Sequence, residues 1–162
     1  MNALEIEHED FVFVDLGAGK GRTLLLASDF PFKRVIGVEL FERYCAIARH
    51  NVRTYRSPAQ RCTAIDIVCS DASTYELPPE NTVFYFFDPF ERPVLARVVE
   101  NIVQSLRSRP RKVAIVYVRL PSEKEDLFSF LTPAGGAEGG SPTHHPEFSW
   151  RIFVNRNETT AP

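Results

Sequence analysis

Apolar residues in this chain fall into two kinds of run. Phe11-Val12-Phe13-Val14, Val35-Ile36-Gly37-Val38 and Val83-Phe84-Tyr85-Phe86-Phe87 are short and unbroken, with no polar alternation, as expected of strands covered on both faces. The segments between them repeat with helical period instead. In 91–107, Val94, Leu95, Val98, Val99, Ile102, Val103 and Leu106 recur at three and four, leaving Arg92, Arg97, Glu100, Gln104 and Arg107 on the other side. On this basis strands are expected near 11–15, 34–39, 64–69, 82–87, 112–118 and 148–154, and helices near 20–29, 41–56, 91–107 and 122–131. Strands alternating with helices imply an α/β chain, a doubly wound and mostly parallel sheet. Residues 132–147 break the pattern. They contain Pro133, Gly135, Gly136, Gly139, Gly140, Pro142 and Pro146 and almost nothing apolar, which reads as a flexible surface loop.

The first strand ends in Asp15-Leu16-Gly17-Ala18-Gly19-Lys20-Gly21 and is followed by the apolar helix start Leu24-Leu25-Leu26-Ala27. Backbone without Cβ atoms can take positive φ and let a ligand lie directly on it, so this turn is a cradle. A dinucleotide fingerprint would read Gly-x-Gly-x-x-Gly and set pyrophosphate on the helix N-terminus. Here the third glycine comes one residue early, and Arg22 stands where that fingerprint places glycine. Asp15 would also repel a pyrophosphate and attract a guest bearing ammonium and sulfonium charges. A nicotinamide-dependent oxidoreductase is therefore disfavoured.

At these residues the chain resembles the class I S-adenosylmethionine-dependent methyltransferases, over about Phe11 to Val118. The resemblance implies a Rossmann-like methyltransferase fold and S-adenosyl-L-methionine as cofactor. It implies that Asp15, Gly17, Ala18 and Gly19 lie by the methionine part, that Glu39 and Leu40 at the end of the second strand meet the ribose side, and that Asp71 and Ala72 after the third strand read the adenine. Glu39 follows the glycines by about 20 residues, the spacing of a ribose-binding carboxylate. Plainer readings stand beside these: Glu39 as an acid favoured at a helix N-terminus, and Asp71 as the side chain of an Asx turn. Together, acids ending successive parallel strands share one edge of the sheet, where open α/β folds bind ligands.

Asp88-Pro89-Phe90 ends the fourth strand and looks like a shortened form of the Asp/Asn-Pro-Pro-aromatic motif of nitrogen-methylating members. That likeness makes Asp88 the catalytic candidate, orienting an acceptor and taking up its proton, with Pro89 and Phe90 on the substrate side. The alternative is that Asp-Pro merely ends a strand and Phe90 is core. Against the resemblance, only one strand candidate, Phe148–Val154, follows the glycine-rich segment. The antiparallel end of the sheet is thus expected to be reduced, with any seventh strand supplied near Phe128–Leu131. Only ten residues precede the first strand, so a lid would come from a partner subunit or from 132–147.

Composition adds bounds. The chain has 162 residues, of which 44% are hydrophobic and 13 are Phe, enough for one core and one domain over 1–162. A net charge of −2 gives no global field for nucleic acid. Cys45, Cys62 and Cys69 have no Cys-x-x-Cys spacing and read as buried free thiols of a reducing compartment. His8, His50, His144 and His145 show no metal or triad spacing, so no metal is expected. Arg107, Arg109, Arg111 and Lys112 read as a solvated helix end. With neither a signal peptide nor a membrane-length apolar run, the expected location is cytoplasmic. The expected activity is methyl transfer to nitrogen or oxygen of a protein side chain or small molecule. The alternative is a non-catalytic cofactor-binding scaffold, and self-association is compatible with either.

Overall fold

The structure, a computed structural model, describes residues 4–137 and 149–155. In chain order the elements are β1 (Val12–Leu16), α1 (Arg22–Ala27), β2 (Arg34–Glu39), α2 (Glu42–Thr54), β3 (Ile65–Cys69), β4 (Thr82–Phe87), α3 (Arg92–Ser108), β5 (Val113–Val118), β6 (Thr132–Ala137) and β7 (Trp150–Val154), with 3-10 helices at His8–Asp10 and Ser122–Phe128. They build one seven-stranded sheet in the order β3-β2-β1-β4-β5-β7-β6. The first five strands in that order are parallel, and β7 runs antiparallel to both of its neighbours. The doubly wound reading holds, and every strand expected before residue 120 lies within about a residue of its place.

Both faces of the sheet are covered, which is why β1 is buried at every position. One face packs Val14, Phe84, Phe86, Ile115 and Tyr117 against Leu95, Val98, Val99 and Ile102 of α3 and against Phe128. The opposite face packs Phe13, Val35, Val83 and Ala114 against Leu24 and Ala27 of α1 and against Phe32. The side of α3 marked apolar by its period is the side that the core takes up. On the other face α1 sits close to β2 because Gly37 has no side chain: a Cβ there would lie 2.5 Å from Leu24 Cδ1.

Four expectations need correcting. Thr132–Ala137, expected to be loop, is the edge strand β6 and completes the antiparallel end. Proline and glycine are tolerated there because an edge strand needs partners on one side only, and a register shift between Pro133 and Gly135 absorbs the irregularity. The seventh strand thus comes from Thr132–Ala137 and not from Phe128–Leu131, while the remainder of the expected loop, with His144 and His145, lies outside the described residues. The expected helix at 122–131 is a shorter 3-10 helix. Arg111 is buried, not solvated: its guanidinium donates to the Ser105 and Arg109 carbonyls and to Ser105 Oγ, closing the C-terminal end of α3. His8 packs against the rings of Phe30 and Phe32.

Candidate functional site

A cleft of about 640 Å³ opens at the C-terminal ends of β1, β2, β3 and β4, where the sheet order changes direction between β1 and β4. Asp15, Gly17, Ala18, Gly19, Glu39, Leu40, Asp71, Ala72, Pro89 and Phe90 all line it. These ten sequence candidates are therefore neighbours in space. Asp88 is the exception: the lining passes from Phe87 to Pro89 without it.

Glu39 is 7% exposed and each of its carboxylate oxygens accepts a main-chain hydrogen bond. Gly19 N–H donates to Oε2 and Phe41 N–H to Oε1, both at 2.9 Å. The side chain thereby ties the glycine loop to the entrance of α2. Each oxygen keeps a further lone pair for a hydroxyl donor.

Asp15, 3% exposed, lies behind the loop in the β1–β2 register opposite Gly37. Burial pushes its carboxyl up to about 7, the neighbouring Glu39 charge pushes the same way, and a hydrogen bond from Thr23 opposes both. A buried acid poised near neutrality gains most from a nearby cation.

Asp71 forms the Asx turn of its plainer reading. Its Oδ1 accepts from Ser73 N–H at 2.8 Å and from Ser73 Oγ at 2.7 Å, an Asx turn that holds the carboxyl below the usual carboxylate range. The same turn sets Asp71 and Ala72 on the cleft wall.

The fourth strand end is held differently. Asp88 sits at φ +39° and its Oδ1 accepts from Lys124 Nζ at 2.8 Å and from Tyr117 OH at 3.0 Å. Lys124, itself buried, also donates to the Phe90 carbonyl at 2.8 Å. Arg92 reaches Asp126 through both guanidinium nitrogens and donates to the Glu123 carbonyl. The 3-10 helix thus grips the β4–α3 turn. Pro89 presses on the glycine loop, since a Cβ on Gly17 would lie 2.5 Å from Pro89 Cβ, and Gly17 has φ +93°. Only glycine meets both conditions there. Phe90 both packs edge-on against Phe86 and faces the cleft.

Several lining residues were not anticipated: Thr23, Phe41, Tyr44, Glu91, Val94 and Arg97. Thr23, a hydroxyl in the first turn of α1 directly after the glycine loop, was detectable as a hydrogen-bond donor for Asp15. Phe41 is 58% exposed and Leu40 59%, so the cleft has an apolar rim that no period in the sequence marks. Among the described residues no helix is long and apolar enough to cross a membrane.

No protein-family model and no curated protein matches the sequence. Solved structures do resemble it. An S-adenosylmethionine-dependent methyltransferase from Methanosarcina mazei is 15% identical, with TM-score 0.65 over 95% of each chain. The pyocyanin biosynthetic protein PhzM is 13% identical with TM-score 0.67 over 94% of this chain, which spans 52% of the PhzM chain. The N-methyltransferase NodS from Bradyrhizobium japonicum WM9, solved with S-adenosyl-L-homocysteine, is 12% identical with TM-score 0.61 over 89% of this chain and 77% of its own. Strand order, the antiparallel last pair and these neighbours together give the chain the class I S-adenosylmethionine-dependent methyltransferase fold.

Proposed function

We propose that this protein transfers the methyl group of S-adenosyl-L-methionine to a nitrogen or oxygen nucleophile of a small molecule or a protein side chain. The observation that carries the reading is the convergence of Asp15, Glu39 and Asp71, from three successive strand ends, on one cleft with the glycine loop. In this reading Glu39 accepts from the ribose hydroxyls, and Leu40 lies beside it. Asp71 and the Ala72 N–H face the adenine. Asp15, Gly17, Ala18 and Gly19 surround the methionine portion. The donor set fits such a group: its oxygens are acceptors for hydroxyl and amine protons, and Asp15 is a buried acid with the Glu39 charge and the Thr23 hydroxyl as neighbours.

When bound, the cofactor supplies an electrophilic sulfonium methyl, transferred by in-line displacement. The chain's own residues align the acceptor and exclude water. Pro89 and Phe90 form the wall on the acceptor side. Asp88 acts on the acceptor through that wall: its bonds to Lys124 and Tyr117 fix the turn that carries both residues. A second reading, a cofactor-binding scaffold without turnover, is favoured by the same turn, because Pro89 lies against Gly17 and the Asp88 carboxylate is engaged elsewhere.

Calorimetry separates these from nicotinamide chemistry. S-adenosylmethionine should bind and NADH should not, and Glu39→Gln should weaken binding by about 1–3 kcal/mol, the scale of a stranded buried polar group. Unchanged affinity in that variant removes Glu39 from the site. Methyl-labelled cofactor incubated with cell extract then distinguishes enzyme from scaffold. Label that never leaves the cofactor defeats the catalytic reading.

A further inference from the structure

Two of the three cysteines, far apart in sequence, meet at the back of the β2–α2 junction. Glu42 and Cys45 lie three residues apart on the first turn of α2 and so share one helix face. Cys69 is the last residue of β3, paired in register with Glu39 at the end of β2, which brings it beneath that face. The two sulfurs and a Glu42 carboxylate oxygen all lie within 4.8 Å of one another. Cys45 is fully buried, Cys69 half-buried and Glu42 exposed, so the group has a closed floor and an open side.

We propose that Glu42, Cys45 and Cys69 form a binding site for a thiophilic divalent cation, Zn²⁺, with water as the fourth ligand. Hard cations such as Mg²⁺ and Ca²⁺ demand oxygen ligands, whereas two sulfurs with one carboxylate suit a borderline-soft ion. Tetrahedral zinc bonds of about 2.3 Å to sulfur and about 2.1 Å to oxygen put the donors roughly 3.5–3.8 Å apart, so the present group closes by at most about 1.3 Å.

Cys45 Sγ donates to the Glu39 carbonyl at 3.4 Å and Cys69 Sγ to the Leu40 carbonyl at 3.7 Å, contacts that set both thiols at the end of β2 and that are given up when the thiols ionise to bind the cation. Arg49 holds Glu42 Oε1 at 2.9 Å, which steadies the carboxylate and leaves Oε2 for the ion. Binding replaces all but one of the waters of hydrated Zn²⁺ with two Zn–S bonds and one Zn–O bond to Glu42; the displaced waters go to solvent and the two thiol protons to the buffer. No electron moves, and the site carries a net charge of −1.

The site stands independently of the methyl-transfer reading. The test uses the full chain, freed of metal and kept under a thiol-free reductant, titrated with Zn²⁺ against a chromophoric chelator. Co²⁺ serves as a second probe for a thiolate charge-transfer band. The expected result is one equivalent of Zn²⁺ with that band present. Cys69→Ser should lose the band and at least about tenfold in affinity, Glu42→Gln should lose affinity by several-fold, and Cys62→Ser should match the parent. Circular dichroism checks that each variant is folded. No band and no competition with the chelator overturns the site, as does a Cys69→Ser protein that binds like the parent. Equal loss in Cys62→Ser overturns it too, because the effect would then not belong to these three residues.

Discussion

The wall of the cleft made by β1, β2 and β3 holds its acids with nearby main chain and hydroxyls. Gly19 and Phe41 serve Glu39, Ser73 serves Asp71, and Thr23 serves Asp15. The wall made by the β4–α3 turn is held instead by side chains 29 to 36 residues away, farther than the 20 residues from Gly19 to Glu39. Lys124 is 36 residues from Asp88, Asp126 is 34 from Arg92, and Tyr117 is 29 from Asp88. The first wall is part of the parallel sheet and should persist as long as the sheet does. The second depends on one 3-10 helix staying docked, so it can loosen while the sheet stays intact. In the functional reading, cofactor recognition sits on the rigid side and acceptor selection on the adjustable side.

The largest effect should come from cutting the docking at its buried point. Asp88→Ala strands the Lys124 ammonium, whose side chain is only 8% exposed, with the Phe90 carbonyl as its remaining partner in that turn. Breaking a buried pair from one side typically costs about 3–5 kcal/mol, and the one-third exposure of Asp88 puts this case near the lower end. Lys124→Met should cost less, about 1–2 kcal/mol, because the freed carboxylate can be rehydrated and the methionine fills the stem's space. Urea unfolding checks the order of the two variants. Affinity for S-adenosylmethionine should stay within about twofold in both, whereas the Km for an identified acceptor should rise in both. A tenfold loss of cofactor affinity would mean that the two walls are one unit.

Asp15 sharpens the comparison from the rigid side. Its carboxyl is raised in the folded chain to about 7 from the ordinary carboxylate value, so the folded state holds a proton that the unfolded state has released. Stability from this group is complete in acid and declines as pH climbs toward 7, by about 2–3 kcal/mol between about pH 5 and about pH 8. Asp15→Asn should flatten that slope and leave the variant the more stable of the two above neutrality. Binding of a cationic cofactor favours the ionised form, so it should tighten with rising pH through about 7 and release a proton below that value. Calorimetry near pH 6.5 in buffers of different ionisation heat reads the proton directly. A pH-independent affinity would place Asp15 outside the reach of the ligand's charge.

The contrast between the walls is also a contrast in what the sequence makes legible. A strand end, a glycine turn and an acid at fixed spacing are local features, and the backbone geometry that follows from them is local too. Asp15, Glu39 and Asp71 could therefore be placed on one rim from their positions alone. The partners of Asp88 could not: nothing near residues 122–128 marks Lys124 as buried, and a lysine in an acidic stretch ordinarily reads as solvated. The Glu42, Cys45 and Cys69 group was hidden for the same reason, its third member arriving through the register of β3. Pro133, Gly135 and Gly136 misled in the opposite sense, since their local preference for loop was overridden by the single-sided pairing available at the sheet edge.

The smallest effect should come from the outer hold on the same 3-10 helix. Arg92 and Asp126 meet through two contacts of 2.8 and 2.7 Å, yet their side chains are 44% and 65% exposed. Water and salt screen such a pair, so Arg92→Ala should cost less than Lys124→Met, and added salt should shrink the difference from the parent. The bidentate geometry and the extra bond to the Glu123 carbonyl keep that cost above zero. A double-mutant cycle with Asp126→Ala isolates the pair from that carbonyl bond, which Asp126→Ala leaves in place. If the cycle gives a coupling as large as that of Asp88 with Lys124, then exposure does not rank these contacts. The adjustable wall would in that case be held along the whole turn, with no single buried point.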